Sequence, residues 1–222
     1  MAPITTIILP GMDGTDLLLD EFCRLAPPTH KPIVYPLPDD PEQTHEHFCD
    51  YFSKKVIAEQ ECHVIAESFS GPIGILLALR HPDKIKWLTL VASFATSPTF
   101  ALAKLIPWSN LFQLPLPSFI AKTLLLGGDS IRAQELKKAL ELTSARILAA
   151  RMRAVLNVDV SKELQQLECD LKYIRPTADR LVSGRSSDEI VRLNSRFSIN
   201  EIAGPHLILQ TRPKECWTAI AG

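Results

Sequence analysis

The sequence has no long apolar run, no C-x-x-C pair and no excess of charge of either sign. Each absence removes a class of protein. The greasiest region, residues 100–126, is broken by Lys104, Pro107, Pro115, Pro117 and Lys122, so no bilayer span of about 20 apolar residues is available. Ile7-Ile8-Leu9 stops at Pro10-Gly11 with no basic stretch before it, which argues against a signal peptide or membrane anchor. The five cysteines (Cys23, Cys49, Cys62, Cys169 and Cys216) are odd in number. They read as reduced thiols of a cytoplasmic protein and not as a disulfide framework. A net charge of −1 gives no basic surface for nucleic acid. Glycine is scarce as well, nine in 222 residues, so the places where it is spent carry information.

What is present is enough for one substantial core: 46% of the residues are hydrophobic. Short apolar strands alternate with helical patterns, which implies a mostly parallel sheet of about six strands flanked by helices. The strands are expected at Ile4–Leu9, Ile33–Tyr35, Cys62–Ala66, Trp87–Val91, Leu171–Arg175 and Arg196–Ile202. A helix over 16–25 is expected to turn Leu17, Leu18 and Phe22 inward. The next helix should start at Asp40 as N-cap, with Pro41 at N1 and Gln43 at N3, and bury Phe48, Tyr51, Phe52 and Val56. Its His45 and Cys49 share a face, but two ligands are too few for a metal site, so His45, His47 and Cys49 read as a solvated face.

The densest chemical signal is Val64-Ile65-Ala66-Glu67-Ser68-Phe69-Ser70-Gly71. A strand runs into Ser68 and a small-residue helix leaves from it, the layout of a nucleophile elbow. Such a turn lifts a hydroxyl clear of the sheet edge and sets it at a helix N-terminus, where free N–H groups can stabilise an oxyanion. The usual form is G-x-S-x-G. Ala66 and Ser70 replace both glycines here and keep the required small size.

Two further loops follow strands that should end on the same edge. After the first strand, Pro10-Gly11-Met12-Asp13-Gly14-Thr15 reads either as a plain turn or as an oxyanion loop. An elbow serine needs a backbone donor from this loop, and Met12 N–H, with Phe69 N–H, is the expected pair. Asp13 either shapes the turn or contacts substrate. After the fifth strand comes Asp179, and after the sixth Ala203-Gly204-Pro205-His206. The chain order Ser68, Asp179, His206 is that of a Ser-Asp-His triad on a parallel sheet: nucleophile, orienting acid, general base. Gly11, Gly14, Gly71, Gly74 and Gly204 put five of the nine glycines in or beside these loops. Asp159 and Asp170 precede the fifth strand and stand on its wrong side for the acid.

Between residues 95 and 166 the alternation stops. Helices are expected at Asp129–Glu141 and Thr143–Val155, the second carrying Arg146, Arg151 and Arg153. An insertion there would form a helical cap over the C-terminal edge of the sheet, or an ordinary packed subdomain. The division expected is a core of 1–94 and 167–222 with a cap of 95–166. Phe100, Leu102, Leu105, Trp108, Leu111, Phe112, Leu114 and Phe119 would line a hydrophobic pocket beneath it.

These stretches, with Asp179-Arg180-Leu181-Val182 and Gly204-Pro205-His206, resemble the serine hydrolases of the α/β-hydrolase superfamily along nearly the whole chain. The closing His206…Pro213-Lys214-Glu215 spacing is similar to small-cap carboxylesterases, including the pimeloyl-carrier-protein methyl ester esterases. That resemblance implies a carboxylic ester hydrolase with no cofactor and no metal. It implies a small hydrophobic ester as substrate and admits an acyl carrier as partner. A thioesterase or acyltransferase would use the same triad, and a non-catalytic binding member of the fold remains a third reading. Serine at the elbow argues against the dehalogenases, which carry aspartate there.

Overall fold

The computed structural model describes residues 2–98 and 130–222. Six strands form one sheet: β1 (Ile4–Leu9), β2 (His30–Val34), β3 (Cys62–Glu67), β4 (Ile85–Val91), β5 (Asp170–Pro176) and β6 (Ser198–Ile202). Their order across the sheet is β2-β1-β3-β4-β5-β6, and every neighbouring pair is parallel. All C-terminal strand ends therefore lie along one edge.

The period-2 alternation of side chains sorts the core into two layers. Ile7, Leu9, Val64, Ala66, Leu88, Leu90 and Tyr173 face one side. There α2 (His45–Val56), α3 (Gly71–Arg80) and α7 (Gly184–Leu193) supply Phe48, Phe52, Ile73, Leu77 and Ile190. Ile8, Ile65, Val91 and Ile174 face the other, against α1 (Asp20–Arg24), α8 (Ile208–Thr211) and α9 (Pro213–Ala221). The Phe22 and Trp217 rings stack there at 4.5 Å, and Trp217 Nε1 donates to the Phe22 carbonyl at 2.7 Å.

Of the 95–166 region the described part holds α4 (Ser130–Leu142), α5 (Ala145–Asn157) and α6 (Ser161–Gln165). Ser144 caps α5, its hydroxyl accepting from Ile147 N–H. Leu136 and Ala139 of α4 pack with Leu18 and with Leu207, the neighbour of His206. The large apolar residues of 100–119 lie outside the described residues.

Three expectations are corrected. The second helix begins at His45 with Thr44 as its cap, because Asp40 spends its carboxylate on Glu42 N–H and Gln43 turns inward. The shifted start buries His45 and Cys49, and only His47 keeps a polar setting, bonded to Asp40. The first helix is a five-residue turn from Asp20, which leaves Leu17 exposed. Among the described residues no helix is long and apolar enough to cross a membrane, and no three His, Cys, Asp or Glu gather to hold a metal.

Candidate active site

β3 delivers the chain into a tight turn. Ser68 opens a three-residue 3-10 turn, Ser68–Ser70, that feeds α3, and it sits at φ 49, in the left-handed region. A residue with a side chain costs roughly 1–2 kcal/mol there, so the surrounding contacts must hold it. They come from the neighbouring strand. Past β4, Ala92 also turns left-handed, at φ 48, and brings Ser93 over the elbow. Ser93 Oγ donates to the Ser68 carbonyl at 2.6 Å. Ser93 in turn is bracketed by Tyr173, whose hydroxyl accepts from its N–H at 2.9 Å and donates to its carbonyl at 2.7 Å. Gly71 makes this approach possible, since a Cβ there would overlap the Ser93 hydroxyl.

The loops after β5 and β6 are joined by two backbone bonds, Thr177 N–H to the Ile202 carbonyl and Ala178 N–H to the Gly204 carbonyl. This pairing sets Asp179 beside His206. His206 Nδ1 lies 2.7 Å from Asp179 Oδ2, and its Nε2 lies 2.9 Å from Ser68 Oγ. The other Asp179 oxygen accepts from Leu181 and Val182 N–H at 2.8 and 2.9 Å. An ionised carboxylate only accepts, so in the Asp179 bond Nδ1 carries the imidazole proton and Nε2 is the acceptor that faces the serine hydroxyl. Both side chains are 4% exposed, so water competes little for the pair. Asp159, bonded to Ser161, and Asp170, at the start of β5, take no part.

The loop after β1 is held carbonyl by carbonyl. Ser70 Oγ donates to the Pro10 carbonyl at 2.5 Å, and Gly14 N–H to that of Gly11 at 3.0 Å. In a trans peptide the N–H points opposite to the carbonyl. The Gly11–Met12 peptide thus turns its carbonyl into the loop and the Met12 N–H away from it. Among the described residues nothing accepts from Met12 N–H. The Phe69 N–H falls in the first turn of its helix, where backbone donors have no intrahelical partner. Asp13 shapes the turn: its Oδ2 accepts from the N–H and hydroxyl of Thr15.

Two buried groups here take places that the sequence reading did not give them. His45 Nε2 bonds the Phe69 carbonyl at 3.2 Å, and burial pulls the imidazole down to about 4, which keeps it neutral. Glu67 is buried beneath the serine. Burial pushes its carboxyl up to about 7, against hydrogen bonds from Gln210 and the Gly11 N–H. A glutamate before the serine was visible in the sequence; its orientation was not.

No protein-family model and no curated protein matches the sequence. Solved structures do match its fold.

 A carboxylesterase from the ammonia-oxidizing thaumarchaeon Nitrososphaera gargenis aligns with a TM-score of 0.83 at 17% identity, over 99% of this chain and 89% of its own. The enol-lactonase from Burkholderia xenovorans LB400 aligns at 0.84 with 14% identity, over 99% and 90%. A lipase-esterase related protein from Clostridium acetobutylicum ATCC 824 aligns at 0.81 with 14% identity, over 99% and 94%. The chain therefore has the α/β-hydrolase fold. At these identities the likeness carries the fold and no more.

Proposed function

We propose that the chain is a serine hydrolase that cleaves carboxylic esters with a hydrophobic acyl or alkyl part. The observation that carries this reading is the continuous hydrogen-bonded series from Asp179 through His206 to Ser68, with the serine at a left-handed elbow. The naming of fold neighbours as a carboxylesterase and an enol-lactonase agrees with it.

Ser68 Oγ attacks the ester carbonyl while His206 Nε2 takes its proton. Negative charge moves to the carbonyl oxygen, and the Met12 and Phe69 N–H groups stabilise it. The tetrahedral adduct collapses to an acyl-Ser68 as His206 returns the proton to the departing alkoxide. A water molecule then repeats the sequence: His206 takes its proton, the hydroxide adds to the acyl carbon, and Ser68 leaves with that proton as the acid is released. Asp179 holds the productive tautomer and stabilises the imidazolium in both halves. Residues 95–166 act as a cap above this edge and supply the apolar wall of the substrate site.

The test is hydrolysis of p-nitrophenyl esters from acetyl to palmitoyl by wild type and Ser68→Ala. Turnover by wild type should peak at a defined chain length, and the variant should lose several orders of magnitude in kcat. Equal rates from the two proteins would end the reading. Turnover of acyl thioesters with none of oxygen esters would move the function to a thioesterase.

A further inference from the structure

Arg151, on α5, is the largest fully buried side chain among the described residues. All five of its N–H donors have acceptors. Nε donates to Gln43 Oε1 at 2.7 Å. Nη1 donates to the carbonyls of Met12 and Asp13 at 3.0 and 2.9 Å. Nη2 donates to the Pro38 carbonyl at 3.4 Å and to Asp39 Oδ1 at 3.0 Å. Thr143, just before α5, adds a hydroxyl bond to the Asp13 carbonyl at 2.8 Å.

A buried guanidinium is expensive, and an apolar residue of similar volume would often serve stability as well. The two bonds from Nη1 suggest why it is kept. They grip the 12–13 and 13–14 peptides, which close the turn that directs the Met12 N–H. The turn's own backbone contributes a single bond, from Gly14 N–H to the Gly11 carbonyl. Gly14 completes the fit: it sits at φ 75, and a Cβ there would lie 2.9 Å from Arg151 Cζ. Glycine is thus required for both the backbone and the approach of the arginine.

We infer that Arg151 is a positioning residue for the oxyanion hole, locking the Met12–Asp13 loop from the helical segment so that docking of α5 and competence of the Met12 donor are one event. The inference rests on the serine-hydrolase reading. It also makes the Met12 donor dependent on a segment more than a hundred residues away, whereas the Ser68–His206–Asp179 series does not touch Arg151.

The experiment compares Arg151→Met, Arg151→Lys and Gly14→Ala with wild type and Ser68→Ala. It reads kcat and KM on the best p-nitrophenyl ester, the affinity of an alkyl trifluoromethyl ketone whose adduct carries an oxyanion, and the thermal unfolding midpoint. Arg151→Met should lower kcat roughly a hundredfold, the size of losing one oxyanion donor, with KM changed less than about threefold if the loss is confined to the transition state. Ketone affinity should fall in parallel with kcat. Arg151→Lys should fall between, because an ammonium lacks the planar fork. Gly14→Ala should follow Arg151→Met although it leaves the arginine in the chain. Should Arg151→Met unfold, the other two variants decide by the same two readouts. A folded Arg151→Met with wild-type kcat, or a loss of kcat with unchanged ketone affinity, overturns the inference and leaves the hydrolase reading standing. A wild type as inert as Ser68→Ala removes the hydrolase reading, and the inference with it.

Discussion

The elbow and the loop after β1 meet at one point but are built in different ways. The elbow is held by its own strand and the next two across the sheet: Ser93 follows β4, and Tyr173 lies on β5. The loop after β1 is held by side chains from elsewhere, Ser70 at one end and Thr143 and Arg151 at the other. One is a product of the sheet, and will persist wherever the sheet does. The other belongs partly to the helical segment. The sheet thus fixes the Ser68–His206–Asp179 series, and the helical segment completes the hold on the loop after β1.

The sharpest way to break the sheet-built half is Asp179→Asn. The amide presents a donor where Nδ1–H needs an acceptor, so the imidazole takes the wrong tautomer. Turnover should fall by roughly four orders of magnitude, as in other triads of this type. A folded protein with near-normal kcat would remove Asp179 from the triad.

Glu67 joins the two halves, since Gln210 and the Gly11 N–H both reach its carboxyl. Asp13, His206 and Cys216 also feel its charge. Its folded value of about 7 stands above the ordinary 4.5. Between those two pH values the unfolded chain releases a proton that the native state keeps, so stability falls as pH rises through that window and is then level. The loss attached to this group is on the order of 3 kcal/mol. Glu67→Gln should match wild type near pH 4.5 and exceed it by up to that amount at pH 8, as read by urea unfolding at both pH values. Equal pH slopes in the two proteins would place the titration elsewhere.

Gly71→Ala tests whether Ser93 is the strut of the elbow. The new methyl displaces the Ser93 hydroxyl, and overpacking of this kind costs about 2 kcal/mol. Urea unfolding measures it, and a double variant with Ser93→Ala should recover part of the loss. Ser70→Ala is the mildest change. It removes one bond to the Pro10 carbonyl, worth about 1 kcal/mol, and should lower the thermal midpoint slightly while leaving the Ser68–His206 pair intact.

Much of this architecture was legible in the chain itself. All six expected strands form, with ends moved by a few residues. β1, β3 and β4 are read from apolar runs, because a segment buried on both faces must be apolar. The edge strands β2 and β6 are half-exposed and carry polar residues. The start of α2 was misread: Asp40, Pro41 and Gln43 carry a helix-start pattern, but Arg151 draws Gln43 inward and Thr44 caps instead. Leu17 was misplaced because a five-residue helix has no second turn to bury it.

Order along the chain and the small residues around Ser68 determined which side chains could form the series, since parallel strands bring their following loops to one edge. Which arginine of α5 matters was decided only by tertiary structure. Arg146, Arg151 and Arg153 look alike in sequence, yet docking buries Arg151 and leaves the other two exposed. The same holds for Glu67 and His45, whose burial raises the one and lowers the other, in each case favouring the uncharged form. Local sequence dictates backbone and pattern; desolvation and hydrogen-bond partners exist only once distant segments have met.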